Sequence, residues 1–149
     1  FLKLAELLKD RYQIVLLGLS ETQIKELPQN ITGLRRTESI GELVSIYNAA
    51  DIFLNPTYQD NFPTTNIEAL ACGTPIVTYR TGGSPEALDL QTGMVVEKGN
   101  LDQLVEAIKA IESKGKATYT QACRERAVQC FDKQKRFQEY VDLYTSLIQ

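Results

Sequence analysis

The chain contains no histidine and no tryptophan, and among its 149 residues there are only one methionine, five prolines and three cysteines. Without histidine, a serine–histidine or cysteine–histidine catalytic pair cannot be built. Cys72, Cys123 and Cys130 are too few and too scattered for a disulfide framework or a zinc site, so a reducing cytoplasm is the expected setting. No apolar stretch approaches the ~18 residues of a membrane-spanning helix. The net charge of −3 comes with no basic stripe, which leaves no electrostatic footprint for nucleic acid. A G-x-S-x-G nucleophile elbow and a G-x-G-x-x-G dinucleotide fingerprint are also missing, which argues against a hydrolase or epimerase-like domain. Asp51 and Asp60 lie apart with no companion acid in a D-x-D arrangement, so no metal and no cofactor is expected.

What is present is the composition of an ordinary globular domain, 43% hydrophobic and 23% charged, enough for one core in one domain spanning 1–149. Apolar runs and amphipathic segments alternate, the pattern of an α/β fold with an open parallel sheet and helices on both faces. A helix opens the chain with Leu2, Leu4, Ala5, Leu7 and Leu8. Ile14-Val15-Leu16-Leu17 reads as a strand buried on both faces and ending at Gly18. Glu21 to Leu27 is a short helix stopped by Pro28, and Ile31 to Leu34 a short strand. Ser39 and Glu42 have capping-box spacing, and the helix behind them puts Leu43, Ile46, Tyr47 and Ala50 on a core face. Strands follow at 51–54, 76–79 and 93–96. Helices then run from Asn100 to Lys114, from Ala117 to Cys130 and over roughly 133–148, the last with a Phe137, Tyr140, Val141, Tyr144, Leu147 stripe.

The most informative segment is 55–77. A strand stops at Asn55-Pro56, a polar loop follows, and a helix begins near Thr64 or Thr65. Ligands in open α/β sheets bind at this carboxyl end of the strands. Unpaired N–H groups at a helix start suit a diphosphate, and Thr64 and Thr65 add hydroxyl donors. The ionised carboxylates of Asp60 and Glu68 are acceptors only and want sugar hydroxyls. A nucleotide sugar satisfies both tastes. Each piece alone has an ordinary explanation: Thr65-x-x-Glu68 has capping-box spacing, Asp60 suits a turn, Gly73 with Pro75 is a helix stop, and Gly82-Gly83 is a turn.

The joint spacing of Asp60, Phe62, the run Glu68-Ala69-Leu70-Ala71-Cys72-Gly73-Thr74-Pro75 and the turn Thr81-Gly82-Gly83-Ser84-Pro85-Glu86 resembles retaining family 4 glycosyltransferases of the GT-B fold. The similarity is dense over 55–86, and element order follows the donor-binding, Rossmann-like C-terminal domain over about 12–113. The resemblance implies that Glu68 holds the ribose hydroxyls, that Asp60, the catalytic position, contacts the donor sugar, and that the stretch Phe62, Pro63, Thr64 and Thr65 holds the diphosphate, with Asn61 also in the donor site. It also places Gly18 at the turn after an early strand and Arg36 in a loop by the base. Asp60 replaces the usual glutamate, and Pro63 stands where glycine is common and supplies no N–H.

By the same resemblance, the chain, which opens at Phe1 inside a helix, is expected to be a piece lacking the first strand, an upstream Arg and Lys, and the N-terminal acceptor domain. It would be half an enzyme, inactive alone, serving bacterial polysaccharide synthesis with a UDP- or GDP-sugar, UDP favoured. The expected location is cytoplasmic, at the inner face of the membrane in the full protein, with a glycan or lipid-linked acceptor. A non-catalytic nucleotide or sugar-phosphate binding module is the alternative.

Overall fold

The computed structural model describes residues 1–9 and 11–148. Along these, seven α-helices and five strands alternate as far as β4 and then run as a strand and three consecutive helices: α1 (Leu2–Leu8), β1 (Ile14–Leu17), α2 (Glu21–Lys25), β2 (Ile31–Leu34), α3 (Ile40–Ala49), β3 (Phe53–Asn55), α4 (Thr64–Ala71), β4 (Ile76–Tyr79), β5 (Gly93–Val96), α5 (Leu101–Lys114), α6 (Ala117–Phe131) and α7 (Lys133–Ile148). A 3-10 turn, Ser84–Ala87, follows β4. All strand pairing is parallel, with helices on both faces of the Rossmann-like layer.

The strands form two separate ladders, β1–β2 and β3–β4–β5. Among the described residues no ladder joins β1 to β3, so each ends its own ladder. This corrects the expectation that β1 is buried on both faces: Ile14 is buried, but Val15 is 47% and Leu17 39% exposed. With one neighbouring strand and sparse helical cover, an apolar run stays half open to water. Four consecutive apolar residues do not by themselves bury a strand. β4, paired on both sides, is buried at all four positions.

One core spans both ladders. It takes Leu4, Ala5 and Leu8 from α1, Ile14 and Ile31 from the first ladder, Ile76 and Val77 from β4, and Leu104, Ala107, Ile108 and Ile111 from α5. The α5 residues recur at helical spacing, and the helix begins where the Asn100 side chain accepts from the Gln103 N–H and stops at Gly115, φ +79°. A side-chain clip ties the connection between α1 and β1 to α5: Arg11 Nη2 donates to Glu112 at 2.8 Å, and the Tyr12 hydroxyl donates to the other Glu112 oxygen. By contrast α7 buries none of its residues, and Phe137, Tyr140, Val141, Tyr144 and Leu147 are all more than half exposed.

Candidate functional site

The loop leaving β3 enters α4 at Thr64, and Pro63 occupies the N-cap with φ −71° and no side-chain cap. Proline's fixed φ suits a helix entrance, where its missing N–H removes nothing the helix would use. Thr65 therefore lies inside the first turn, and the Thr65–Glu68 capping box does not form. Glu68 is left free for another partner. Asn66 is already tied to Pro63 O, which leaves the Thr64 and Thr65 N–H groups, both on exposed residues, at the positive end of the helix.

Main-chain contact with the turn after β4 fixes the loop. The Gly83 N–H donates to Asn61 O at 2.7 Å. A Cβ on Gly82, whose φ is +48°, would lie 1.8 Å from Asp60 O, and one on Gly83 would lie 2.3 Å from Asn61 O. Only glycine permits this approach. Behind the loop, a buried polar relay registers α4 against the sheet: Asn55 donates to the Asn66 side chain at 2.9 Å, Asn66 donates to Ser84 O at 3.3 Å, and the Thr78 hydroxyl donates to Asn55 O at 2.9 Å. Tyr58 packs edge-on against Tyr79, and Phe62 lies tilted against Phe131 of α6.

Glu68 projects from the exposed side of α4, and its Oε2 accepts from the Tyr47 hydroxyl at 3.0 Å. Tyr47 itself is buried, its ring edge-on to Phe53 at 5.4 Å. Burial, and next the neighbouring Glu68 charge, push the Tyr47 phenol well above its ordinary pKa, so it stays a donor. Asp60 is half-buried in the loop, and Asn61 and Phe62 are exposed beside it.

Asp60, Asn61, Phe62, Pro63, Thr64, Thr65 and Glu68 thus gather between the β3 and β4 ends, against Gly82 and Gly83. Gly18 and Arg36 belong to the other ladder. Gly18 donates to Leu34 O and Arg35 O, and Arg35 pairs with Glu21 at 2.7 Å. Arg36 is exposed, and among the described residues no hydrogen bond joins this pair to the loop cluster. The sequence reading missed Tyr47 as a polar partner, because its spacing in α3 matches a core face, which it also occupies. It also missed Asn66, which sits among the polar residues Thr64, Thr65 and Glu68 of the first helix turns and carries no separate mark of its burial.

This fold, parallel ladders with a glycine-clamped loop feeding a helix at the strand ends, is that of the C-terminal domain of GT-B glycosyltransferases. Sucrose-phosphate synthase from Thermosynechococcus elongatus superposes with a TM-score of 0.83 at 25% identity, over 98% of this chain and 41% of that one. HepE from Anabaena, solved in complex with UDP, gives 0.80 at 22% identity, over 97% and 44%. The family description "Glycosyl transferases group 1" matches residues 1–113, and the chain belongs to that family. A D-inositol 3-phosphate glycosyltransferase from Mycobacterium sp. (strain KMS) is 37% identical over 91 residues, 60% of this chain and 21% of the relative. The chain therefore spans about a fifth of the curated relatives it matches.

Proposed function

We propose that this chain is the donor-binding half of a retaining glycosyltransferase, holding a nucleoside-diphosphate sugar whose sugar passes to a glycan or lipid-linked acceptor. The carrying observation is Glu68: an exposed carboxylate, released from capping and held by Tyr47, one helix turn from the open Thr64 and Thr65 N–H groups. The reading puts ribose hydroxyls on Glu68, the diphosphate on the helix start, and the donor sugar beside Asp60. Charge building on the departing diphosphate is then met by the helix terminus, a fixed dipole that needs no reorganisation. UDP is the favoured nucleotide, supported by the nucleotide in the HepE complexes. No metal or other cofactor enters the scheme.

The same reading places the acceptor site outside this chain, and fills the break between β1 and β3 with one further parallel strand that would unite the ladders. It assigns the whole protein to bacterial polysaccharide synthesis in the cytoplasm, at the inner face of the membrane; among the described residues no helix is long and apolar enough to cross one.

Titration of UDP, GDP and ADP into the chain tests the proposal. UDP should bind best, and Glu68→Ala should weaken it about tenfold or more, as expected from ~1.5–3 kcal/mol for a hydrogen bond to a charged group. Unchanged affinity in a folded Glu68→Ala protein refutes the ribose assignment, and binding of GDP alone refutes the choice of base.

A further inference from the structure

We propose that Tyr47 is a positioning residue for nucleotide recognition: its hydroxyl holds Glu68 Oε2, leaving Oε1 as the acceptor for the ribose and making the site select ribonucleotides over deoxyribonucleotides. The inference rests on the assignment of Glu68 to the ribose. A glutamate on a helix surface has three rotatable bonds, and fixing one of its oxygens removes much of the freedom that ligand binding would otherwise have to freeze. Among the described residues Tyr47 is the hydrogen-bond donor to the Glu68 carboxylate, and Oε1 takes no bond.

Tyr47 is itself immobilised from three sides. Its ring packs edge-on against Phe53, its carbonyl accepts from the Thr74 hydroxyl at 2.7 Å, and the Lys116 ammonium reaches the same carbonyl at 3.3 Å. Lys116 also donates to Asn48 O at 2.7 Å and Ala50 O at 2.6 Å, closing the last turn of α3. The phenol therefore stands on a backbone and a ring both fixed in the core, and it reaches an acid at the surface 21 residues away in sequence. A buried phenol also needs a polar partner for its own sake, so the test must separate orientation of Glu68 from satisfaction of Tyr47.

Affinities for UDP and for 2′,3′-dideoxy-UDP, measured by NMR titration on the chain, make that separation. Wild type should prefer UDP, and Tyr47→Phe should shrink the preference roughly threefold to tenfold, the range of one hydrogen bond, while dideoxy-UDP binds as before. In a Glu68→Ala background, Tyr47→Phe should change neither affinity. If Tyr47→Phe keeps the full preference while Glu68→Ala abolishes it, or if it weakens both nucleotides equally, Tyr47 only packs and the inference fails. If wild type shows no preference, the assignment of Glu68 to the ribose falls and takes the inference with it. Should Tyr47→Phe lose its folded spectrum, Tyr47→Met is put through the same comparison with the same deciding ratio.

Discussion

The two ladders begin from nearly the same sequence and end in different environments. β1 is Ile-Val-Leu-Leu and β4 is Ile-Val-Thr-Tyr. β4 is the less apolar of the two, yet all four of its residues are buried, while Val15 and Leu17 of β1 lie open. Position in the sheet, with a neighbour on each side and α4 and α5 packed near it, decides burial where hydropathy does not. The site follows the better-buried half. Asp60, Thr64, Thr65 and Glu68 stand on loops and a helix start anchored to β3 and β4, whereas Gly18 and Arg36 stand on the thin ladder.

The sharpest way to break this comparison is to truncate one apolar strand residue in each ladder, the fully buried Ile76 of β4 and the exposed Val15 of β1. Ile76→Ala, at a site with no exposure, should cost ~2–5 kcal/mol in chemical denaturation. Val15→Ala should cost about 0.5 kcal/mol or less. Equal losses would mean that β1 is as firmly packed as β4. In a longer protein carrying the additional strand, Val15→Ala should become distinctly more costly, and an unchanged small value there would argue against a strand beside β1.

Next in size is Gly82→Ala. A side chain at φ +48° carries strain of order 1–3 kcal/mol, and the Cβ would also strike the Asp60 carbonyl. The expected result is lower stability together with weakened nucleotide-sugar binding. Gly18→Ala on the other ladder has a positive φ but nothing within 4 Å of a Cβ, so it should show the backbone strain without the collision. Thermal melts of the two variants side by side measure the difference.

The smallest effect belongs to the clip from Arg11 and Tyr12 to α5. Hydrogen bonds from Tyr12, and next from Arg11, hold the Glu112 carboxyl below its ordinary 4.5. A depressed folded pKa means the contribution is present above the unfolded value and is lost as pH falls through the folded one. Glu112→Gln should therefore be slightly less stable than wild type at neutral pH and converge with it as pH falls below about 4.5, a minor effect given how exposed the pair is. A wild-type acid profile in Glu112→Gln would show that the clip contributes nothing.

Much of the architecture was legible because it rests on local signals. The helix spanning Leu101–Lys114 follows from apolar spacing, an Asn100 cap and a Gly115 stop. The start of α4 at Thr64 follows from Pro63. Joint spacing of Asp60, Glu68 and the Gly82-Gly83 turn marked the loop cluster that the structure brings together. What was not legible depends on partners far along the chain. The break between β1 and β3 is a fact about which strands meet, and Ile14 to Leu17 carries no mark of it. Tyr47 has the spacing of a core residue and is one, while its hydroxyl does separate work on an acid in another helix. The exposure of α7 is likewise invisible in its amphipathic pattern, which is the same whether or not the face is covered.

The glycine clamp on the loop has a consequence for how such a site changes over generations. The path of residues 57–63 is set by main-chain contact with Gly82 and Gly83 and by the rings of Tyr58 and Phe62, while the side chains of Gln59, Asp60 and Asn61 make no hydrogen bond among the described residues. These three positions can therefore be exchanged without redrawing the loop. If the donor sugar lies beside Asp60 as proposed, selection for a new sugar and selection for a sound fold act on separate residues, and the scaffold could be re-addressed to a different donor by substitutions that leave its stability nearly untouched.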